Sequence, residues 1–499
     1  MPSVIVPPTT TSFQPLQWPF MHSSDLLLRN CDVALDRPGH SISGPVDILV
    51  RAGVIVEVGR NLAPGPDIEV IEAAGRLVAP GLVNAHWHSP MQLSHGTSDR
   101  TNHKVFMWEN QVDTANRTPH EIYVSAVVGC LQMLKSGTTS VLDHFPEQGF
   151  TVDDVATVVR AFEDCGMRAV VALRIFDEPY SDILPPPDQR SPALLAALQS
   201  GNTLVPRPTE DSLEIVREAI SRFDRHAGRI RIFPAPSNPV RCSDKLLLGC
   251  EEIARAHDTG VHCHMLETRA QAEIAERRYG TTVIEHMDRI GAYSGRWSNA
   301  HCNWVSDNEI AIMARLGAIA VLNPESNLKI GSGVPPIPKL VAAGVPCALG
   351  TDGASTNDNL VLQDAMQLAA MLHRPMEPDR RRWITVKDVM TMATAGGAKA
   401  MIEPDLGRIA PGAKADLVLY DLAESWWTPL NDPEQQFVFG ERGGSVDTVV
   451  VAGRVVLKNG RSTLVDEDAL LFETRGMLGQ IRSRNSGVAA IAHAVAASE

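Results

Sequence analysis

The sequence predicts an α/β protein: a (β/α)₈ TIM barrel with a small β-sandwich domain formed by both chain ends. Three observations support this fold class. Between residues 81 and 404, short apolar runs alternate with amphipathic helical patterns, as in a barrel of parallel strands. Two β-rich stretches flank this middle part. Histidines and carboxylates recur where the predicted barrel strands end, which is where such barrels carry their functional groups.

Both ends of the chain are predicted to lie outside the barrel. Residues 1–24 are rich in Pro and Thr and are expected to form a loose N-terminal arm. Residues 25–80 contain DLLLRNCDVAL and VDILVRAGVIVEVG, and residues 405–465 contain ADLVLYDL and VDTVVVAGRVVLKNG. Alternating apolar residues separated by Gly and Pro favour strands, so we expect both stretches to pack as one sandwich. Residues 466–499 are expected to form a C-terminal helix and an Ala-rich tail.

The middle part, residues 81–404, contains eight strand candidates. In order they are LVNAHWH, TTSVLDH, RAVVALR, RIRIFPA, GVHCHM, SNAHC, AIAVLN and VPCALGTD. Helical patterns such as EIYVSAVVGCLQMLKSG and SLEIVREAISRFD lie between them. The piece from about 175 to 228 is longer than an ordinary crossover and contains ILPPPDQRSP. We interpret it as an inserted excursion, with an active-site lid as one explanation.

Composition excludes several classes of function. The 45 basic and 59 acidic residues give a net charge of −14, and such a surface repels nucleic acid and anionic lipid. There is no run of about 18 apolar residues and no signal-peptide pattern at the N-terminus. The eight cysteines lack the paired spacing of a disulfide framework. We therefore expect a cytoplasmic protein with a small-molecule substrate and neither a nucleic-acid nor a membrane partner.

The strand ends carry the residues that point to metal chemistry. They are His86 and His88 on strand 1, His262, His264 and Glu267 on strand 5, His301 on strand 6 and Asp352 on strand 8. Residues i and i+2 of a strand point to the same side, so His86 and His88 can both face one metal. On strand 5 we expect only His264, at the strand mouth, to reach it. Imidazole and carboxylate ligands together suit zinc or iron(II).

These motifs also resemble those of a known family. GLVNAHWHSPMQ, GVHCHMLET, NAHCNWVSDNEI, PESNLKIGSGVPPIPKL and LGTDGASTND resemble the amidohydrolase superfamily. Within it they are similar to the metal-dependent deaminase branch, which includes S-adenosylhomocysteine/methylthioadenosine deaminases, guanine and 8-oxoguanine deaminases, and triazine hydrolases. The resemblance covers about residues 25–460.

The resemblance implies one divalent metal ion per subunit, Zn²⁺ as the first expectation and Fe²⁺ as the alternative. The ligands would be His86, His88, His264 and Asp352, with His301 as a further candidate. The catalytic residues would be Glu267, His301 and Asp352, with Glu267 as the proton shuttle of a metal-activated hydroxide mechanism. No lysine ends strand 4, which favours a mononuclear centre. The family commonly forms homo-oligomers, so a dimer or tetramer is expected.

The substrate contacts are predicted from position alone. Candidates at strand ends or in the following loops are His144, Arg174, His95, Trp108 and Asn327, with His103 as a further loop candidate. Three departures from the deaminase pattern leave the substrate open. Asn323 stands where a histidine is common, Ser237-Asn238-Pro239 follows strand 4, and the segment after strand 1 lacks the usual acidic-leucine pattern.

Three functions are compatible with these residues. The first is a metal-dependent aminohydrolase (deaminase) that hydrolyses the exocyclic C–N bond of an amino-substituted heterocycle such as a purine, pterin or triazine. The second keeps the metal site and changes the bond, to an amide, urea, carbamate or thiocarbamate C–N or C–S bond, or to hydrolytic dechlorination. The third is a non-catalytic barrel scaffold, against which Glu267 argues because a scaffold needs no proton shuttle.

Overall fold

A computed structural model of the protein describes residues 25–145 and 149–498. The predicted N-terminal arm, 1–24, lies outside these residues. The strands are β1 (Leu26–Arg37), β2 (His40–Arg51), β3 (Val54–Gly59), β4 (Glu69–Glu72), β5 (Arg76–Pro80), β6 (Leu82–Trp87), β7 (Thr138–Phe145), β8 (Arg168–Ile175), β9 (Ile230–Pro236), β10 (Val261–Met265), β11 (Trp297–His301), β12 (Ile319–Leu322), β13 (Cys347–Leu349), β14 (Leu417–Asp421), β15 (Val446–Val451), β16 (Arg454–Lys458) and β17 (Arg461–Ser462).

The α-helices alternate with these strands in the middle of the chain and cluster near its C-terminus. They are α1 (His103–Thr114), α2 (Pro119–Lys135), α3 (Val152–Cys165), α4 (Pro192–Gly201), α5 (Thr209–Phe223), α6 (Asp244–Ala256), α7 (Arg269–Tyr279), α8 (Val283–Ile290), α9 (Asp307–Leu316), α10 (Pro324–Lys329), α11 (Ile337–Ala342), α12 (Ala354–Asn357), α13 (Leu362–Met371), α14 (Val386–Thr391), α15 (Gly397–Ala400), α16 (Pro433–Phe439), α17 (Glu467–Glu473), α18 (Met477–Arg484) and α19 (Ser486–Ala496). A π-helical turn, Met392–Gly396, joins α14 to α15.

All eight barrel strands predicted from the sequence are present, as β6 to β13. They form two parallel four-stranded sheets, β6-β7-β8-β9 and β10-β11-β12-β13. The two sheets meet where the amide of Asp352, just after β13, donates to the carbonyl of His86 at 3.0 Å. Among the described residues the strand ladders do not continue into one closed sheet, so the predicted barrel is observed as two half-barrels.

The crossover helices begin and end where the sequence provides caps. The hydroxyl of Thr151 at the start of α3 accepts a hydrogen bond from the amide of Asp154, and the Asp154 carboxylate accepts one from the amide of Thr151. Gly166 ends the same helix at φ 71°, a conformation that costs glycine little. The buried face of α3 then packs against the fully buried strands β7 and β8. Such local stops fix the strand ends that carry the site.

Both chain ends contribute to one nine-stranded sheet. Its order is β17-β16-β15-β14-β5-β1-β2-β3, and β4 pairs with β1. The antiparallel pair β5–β14 joins the N-terminal half to the C-terminal half, from Pro80 opposite Leu417 to Arg76 opposite Asp421. The ends therefore pack together as predicted, although a sandwich of two separate sheets is not confirmed. The division of the chain into separate domains stays a prediction.

The excursion and the C-terminal segment both contribute helices near the barrel mouth. The piece 175–228 contains two short 3₁₀ helices, Ser181–Ile183 and Pro187–Gln189, followed by α4 and α5. The segment after 465, predicted as a helix and a tail, forms α17, α18 and α19. Asn485 anchors it to α1 by donating to the carbonyl of Ala115 at 2.7 Å. No helix in the described part of the chain is long and apolar enough to cross a membrane.

Candidate metal centre and active site

The strand ends bring five histidines and one aspartate together. The ring centre of His86 lies 4.8 Å from that of His88, 5.1 Å from that of His264 and 5.5 Å from that of His301. Nitrogen atoms of His86, His88, His144 and His264 lie within 4.8 Å of one another, and so do ligand atoms of His86, His301 and Asp352. These two overlapping sets could hold a metal ion.

Backbone geometry explains why these side chains converge. His86 and His88 point inward, and Trp87 points outward against Gly129 of α2, where an added Cβ would lie 2.1 Å from the indole. Gly350 lets the end of β13 approach β6, because a Cβ there would lie 2.7 Å from that of His86. Asp352 itself adopts a left-handed φ of 59°, a conformation that aims single side chains at functional sites.

A chain of hydrogen bonds sets the protonation of His86. The hydroxyl of Ser298 donates to the carbonyl of Val261, so it accepts from Nδ1–H of His262 at 2.7 Å. Nε2 of His262 is then unprotonated and accepts from Nδ1–H of His86 at 2.8 Å. The result is that Nε2 of His86 carries a lone pair. This atom is fully buried and has no hydrogen-bond partner among the described residues.

Two more imidazoles are held in the same tautomer. Nδ1–H of His88 donates to the carbonyl of His144 at 2.9 Å, and Nδ1–H of His264 donates to the carbonyl of Ser237 at 2.7 Å. Their Nε2 atoms lie 3.2 Å apart, and neither has a proton left to share. Two facing lone pairs repel unless a cation lies near them, so this arrangement fits a bound metal ion.

Asp352 provides the carboxylate of the cluster. Its Oδ1 lies 3.4 Å from Nε2 of both His86 and His88. Its Oδ2 accepts a hydrogen bond from Ser326 at 2.6 Å, which fixes the orientation of the group. The donor set of imidazole nitrogens and one carboxylate, with an orphaned buried nitrogen, fits a divalent metal that accepts nitrogen and oxygen ligands.

The electrostatics keep these groups in the forms that bind metal. Burial lowers the pKa of His86 to about 4, and burial together with the neighbouring imidazoles holds the pKa of His264 well below its usual value. Burial alone would raise the pKa of Asp352, but the surrounding imidazoles, His86 first, hold it well below the usual range. At neutral pH the site therefore combines neutral imidazoles with an ionised carboxylate.

Glu267 lies beside this cluster and not within it. Its Oε2 is 3.2 Å from Nε2 of His103 and 3.9 Å from Nε2 of His301, and its Oε1 accepts from Ser332 at 3.2 Å. Burial favours the neutral acid, but the neighbouring imidazoles of His103 and His301 and the hydrogen bond from His103 outweigh it and lower the pKa of Glu267. The carboxylate is thus ionised and placed one contact away from the candidate ligands.

His301 links Glu267 to the cluster through a fixed orientation. Its Nδ1–H donates to Oδ1 of Asn327 at 2.8 Å, and Asn327 in turn donates to Oδ1 of Asn303 at 2.8 Å. Asn323, which stands where the resemblance leads one to expect histidine, lies farther from the same nitrogen, at 3.4 Å. His301 therefore presents Nε2 to the space between Glu267 and Asp352.

A cavity opens directly above these groups. Its lining residues are His88, Met91, Phe106, Met107, Arg174, Arg241, His264, Glu267, His301, Ile330 and Asp352. The lining combines apolar side chains with candidate ligands, Glu267 and two arginines. An aromatic heterocycle suits such a cavity, because its faces need apolar contact and its edge needs polar groups.

The predicted substrate contacts fall into different places. Arg174 lines the cavity, and its guanidinium donates to Ser237 at 3.1 Å. Asn327 lies behind His301 and is not among the described residues that line the cavity. Trp108 is buried and its indole donates to the carbonyl of Ile183, so it packs in the core. His95 is exposed and contacts the carbonyl of Gln92.

His144 occupies an unforeseen position. It is completely buried, its ring stacks on that of His264 with centres 4.4 Å apart, and neither ring nitrogen has a hydrogen-bond partner among the described residues. Burial and the surrounding imidazoles lower its pKa well below the usual value. It therefore lies within the metal-binding cluster rather than on the cavity wall.

Sequence reasoning missed Arg241, Met91, Met107 and Ile330 as wall residues. Arg241 is fully paired: Nε and Nη2 both donate to the carboxylate of Asp182, the former at 2.9 Å. Its only signal was its place just after the Ser237-Asn238-Pro239 turn that ends β9. The methionines and Ile330 had no signal, because apolar residues are equally common in cores.

Comparison with known proteins identifies the family. The sequence pattern of the amidohydrolase family matches residues 77–456. A 5′-deoxyadenosine deaminase from Methanothermobacter thermautotrophicus is 33% identical over 423 residues, which are 84% of this chain and 91% of that protein. A 5-methylthioadenosine/S-adenosylhomocysteine deaminase from Thermococcus kodakarensis is 33% identical over 435 residues, 85% of this chain and 93% of that protein.

Solved structures agree with this assignment. A zinc-bound adenosine deaminase from Xanthomonas campestris has a TM-score of 0.79 and 26% identity, covering 92% of this chain and 99% of that one. A zinc-bound atrazine chlorohydrolase from Arthrobacter aurescens has a TM-score of 0.81 and 24% identity, covering 91% and 100%, and shows the fold alone. The half-barrels thus correspond to a TIM-barrel-type fold. With its cluster of ligands and these relatives, this chain belongs to the amidohydrolase family and is a hydrolase that acts on carbon–nitrogen bonds.

Proposed function

We propose that this protein is a metal-dependent aminohydrolase that removes the 6-amino group of an adenine nucleoside modified at its 5′ position. The relatives named above as deaminases of 5′-deoxyadenosine and of 5-methylthioadenosine/S-adenosylhomocysteine support this substrate class. The observation that carries the proposal is the placement of Glu267, an ionised carboxylate on the cavity wall, next to the cluster of His86, His88, His264, His301 and Asp352.

The residues that would hold the metal are His86, His88, His264 and Asp352, with His301 as a fifth candidate. A divalent ion bound there would lower the pKa of a water molecule toward neutrality and so supply the nucleophile. We propose zinc, because the relative from Xanthomonas contains zinc and because nitrogen-rich sites suit it; Fe²⁺ is the alternative. His144 belongs to the same cluster but is not in the ligand set that the resemblance implies.

Glu267 is proposed as the proton shuttle. Its lowered pKa keeps it ionised in the free enzyme, so it has a free oxygen to take the proton that the nucleophile loses. It then protonates the ring nitrogen next to the carbon that carries the amino group. Protonation withdraws electrons from this carbon and makes it more reactive toward attack. His103 and Ser332 hold the carboxylate in place during both transfers.

Asp352 and His301 would act on the nucleophile from the other side. Asp352, oriented by Ser326, accepts a hydrogen bond from the attacking oxygen and directs it at the ring carbon. His301, held by Asn327, stabilises the charge that develops on that oxygen. A new C–O bond forms, the C–N bond breaks after the amino nitrogen gains a proton, and ammonia leaves while the ring keeps a carbonyl.

The test combines metal analysis with an ammonia-release assay. Purified protein loaded with zinc is expected to bind one equivalent of metal and to release ammonia from 5′-deoxyadenosine and 5′-methylthioadenosine. The panel also contains guanine, a pterin, melamine, atrazine and simple amides. Turnover of amides or chlorinated triazines without turnover of any aminopurine would refute the proposed function, and so would the absence of bound metal.

A Glu267→Gln variant tests the shuttle separately from the metal. We expect it to keep its metal, because Glu267 is not among the ligands, and to lose about 10²–10⁴-fold in kcat. Glu273→Gln is the matched control, since Glu273 is an exposed glutamate on the helix that follows. Undiminished turnover in the first variant would contradict the role of Glu267.

The homo-oligomeric state and the cytoplasmic location stay predictions.

A further inference from the structure

A second cavity lies next to the one above the metal centre. Helix α1 forms one side of it with Phe106, Glu109 and Asn110, helix α19 forms another with His493, and Ser355 lies between them. Its volume is about 240 Å³, against about 30 Å³ for the first cavity, so it is the larger of the two.

The two cavities share a wall. Phe106 lines both of them and is itself almost completely buried. Ser355 lines the second cavity three residues after Asp352, which lines the first. A molecule held at the metal centre by one end therefore has the second cavity immediately beyond the ring of Phe106.

The second cavity contains buried polar groups without partners. Asn110 is 2% exposed, and neither its amide oxygen nor its amide nitrogen has a hydrogen-bond partner in the described part of the chain. The hydroxyl of Ser355, which is 1% exposed, is also unpaired there. A buried polar group that is left without a hydrogen-bond partner destabilises the protein. Two such residues in one cavity indicate that the cavity holds a polar occupant.

The charges of the cavity favour a cation. Asp113 is neutralised by Arg482, whose Nε and Nη2 donate to its two oxygens at 2.6 and 3.0 Å. Glu109 accepts a hydrogen bond from the hydroxyl of Thr101 at 3.4 Å. Burial raises the pKa of Glu109 by more than the hydrogen bond and the charges of Arg482 and His493 lower it, an effect that a bound cation would offset. The two carboxylates of the cavity, Glu109 and Asp113, therefore outnumber its one arginine, Arg482.

We propose that this cavity binds the outer end of the 5′ substituent of the nucleoside substrate, and that it favours a substituent ending in a protonated amine. The proposal rests on the proposed function, because it assumes that the purine lies at the metal centre. Glu109 would pair with the ammonium group, while Asn110 and Ser355 would hydrogen-bond to it or to a neighbouring polar group. Helix α19, which closes the cavity, lies beyond the residues that match the family pattern, 77–456.

The experiment compares three adenosines that differ only at the 5′ end. They carry a methylthio group, a 3-aminopropylthio group and its neutral N-acetyl derivative. With zinc-loaded wild-type protein, we expect kcat/KM for the aminopropyl compound to exceed that for the methyl compound at least tenfold. The acetylated compound is expected to fall between them, because it keeps the hydrogen bonds and loses the charge.

Three variants locate the effect. Glu109→Gln is expected to lower the ratio of kcat/KM between the aminopropyl and acetylated compounds about tenfold, which corresponds to about 1.4 kcal/mol. Asn110→Leu and Ser355→Ala are expected to lower kcat/KM for both the aminopropyl and the acetylated compound relative to kcat/KM for the methyl compound. Glu214→Gln, an exposed glutamate on α5, is the matched control and should leave every ratio unchanged.

Two results would overturn the proposal. The first is equal kcat/KM for the three compounds in the wild type, which would mean that the cavity holds water only. The second is an amine preference that survives in Glu109→Gln and in Asn110→Leu. If no compound is turned over, the proposed function fails, and calorimetric binding of the same three compounds to wild type and Glu109→Gln still decides about the cavity.

Discussion

At the scale of single residues, each imidazole of the metal centre is set by the contact of its second nitrogen. His262 is the clearest case. It lies opposite Ser298 in the parallel pair β10–β11, accepts from His86 and leaves the other nitrogen of His86 free for a metal. Such contacts behind the ligands fix ring orientation and typically contribute 10–100-fold to metal affinity.

Replacement of His262 tests this directly. We expect His262→Phe to weaken zinc binding about 10–100-fold, because Nδ1 of His86 loses its acceptor and can lose its proton instead. His262→Gln is the matched variant, since its amide oxygen can still accept from His86, and it should stay within about tenfold of the wild type. Competition with a zinc chelator measures both. Equal affinity in the Phe variant would show that His262 only fills space.

The sequence was sufficient for the ligand candidates but not for His262. The i, i+2 rule predicts which side of a strand His86 and His88 occupy, and the structure brings them together. The function of His262 depends on the register between β10 and β11, which places Ser298 beside it. Register between two separate strands is not encoded in the spacing within either one. The contact of His103 with Glu267 could not be predicted either, because it joins two separate segments of the chain.

The raised pKa of Glu325 predicts how the free energy of unfolding depends on pH. Burial and then the charge of Asp364 raise its pKa to about 8. The folded protein therefore binds one proton more than the unfolded chain between about pH 4.5 and 8, so this residue stabilises the fold at low pH and the contribution is lost as pH rises to 8. We compare the difference in Tm between Glu325→Gln and the wild type at two pH values. This difference should be about 2 °C larger at pH 9 than at pH 6, in favour of the variant. Calorimetry at both pH values checks this, and an equal difference at both would contradict it.

At the scale of elements, the strands and the association of the two chain ends were predictable, but the pairing of the strands was not. The eight apolar runs correspond to β6–β13 because short buried runs bounded by turns leave few alternatives. The pairing of β5 with β14 joins residues more than 300 positions apart, such as Arg76 and Asp421, and no local pattern encodes it. For that reason the single nine-stranded sheet and the two half-barrels could be recognised only from the structure.

The excursion after β8 shows how a loop is held against the site. Asp182 in its first 3₁₀ helix is buried and pairs with both donors of Arg241, which lines the active-site cavity. Gln271 also donates to Asp182, at 3.3 Å, from the helix after Glu267. Burial raises the pKa of Asp182, but Arg241 outweighs it, so the carboxylate is ionised. The excursion and the cavity wall are thus one unit.

Asp182→Asn should loosen this unit. Removal of one partner leaves the Arg241 charge buried and unpaired, which costs about 3–5 kcal/mol. We expect a lower Tm and a KM raised about tenfold, with the metal retained, because no ligand contacts Asp182. Asp188→Asn, in the exposed second 3₁₀ helix of the same excursion, is the matched control. Unchanged KM together with unchanged Tm would show that the excursion is held by other contacts.

At the scale of the whole molecule, one buried ion pair joins the sheet of the chain ends to the barrel. Arg168 begins β8, at the opposite end of the strand from the metal centre, and Asp416 immediately precedes β14. Nε and Nη2 of Arg168 donate to the two carboxylate oxygens at 2.9 and 3.0 Å, and both side chains are almost completely buried. The amide of Ala452 in the same sheet also donates to Asp416, at 2.8 Å.

If this ion pair joins the barrel to the sheet of the chain ends, the stability of the protein should depend on both of its charges. Asp416→Asn should lower the free energy of unfolding by about 3–5 kcal/mol, because Arg168 stays charged without a partner in a buried site. The double variant Arg168→Met, Asp416→Asn removes both charges and should recover part of that loss. Denaturant titration of the wild type, the single variants Asp416→Asn and Arg168→Met, and the double variant gives the coupling energy. If the double variant loses as much as the sum of the two single variants, the residues act independently and the pair does not join the parts.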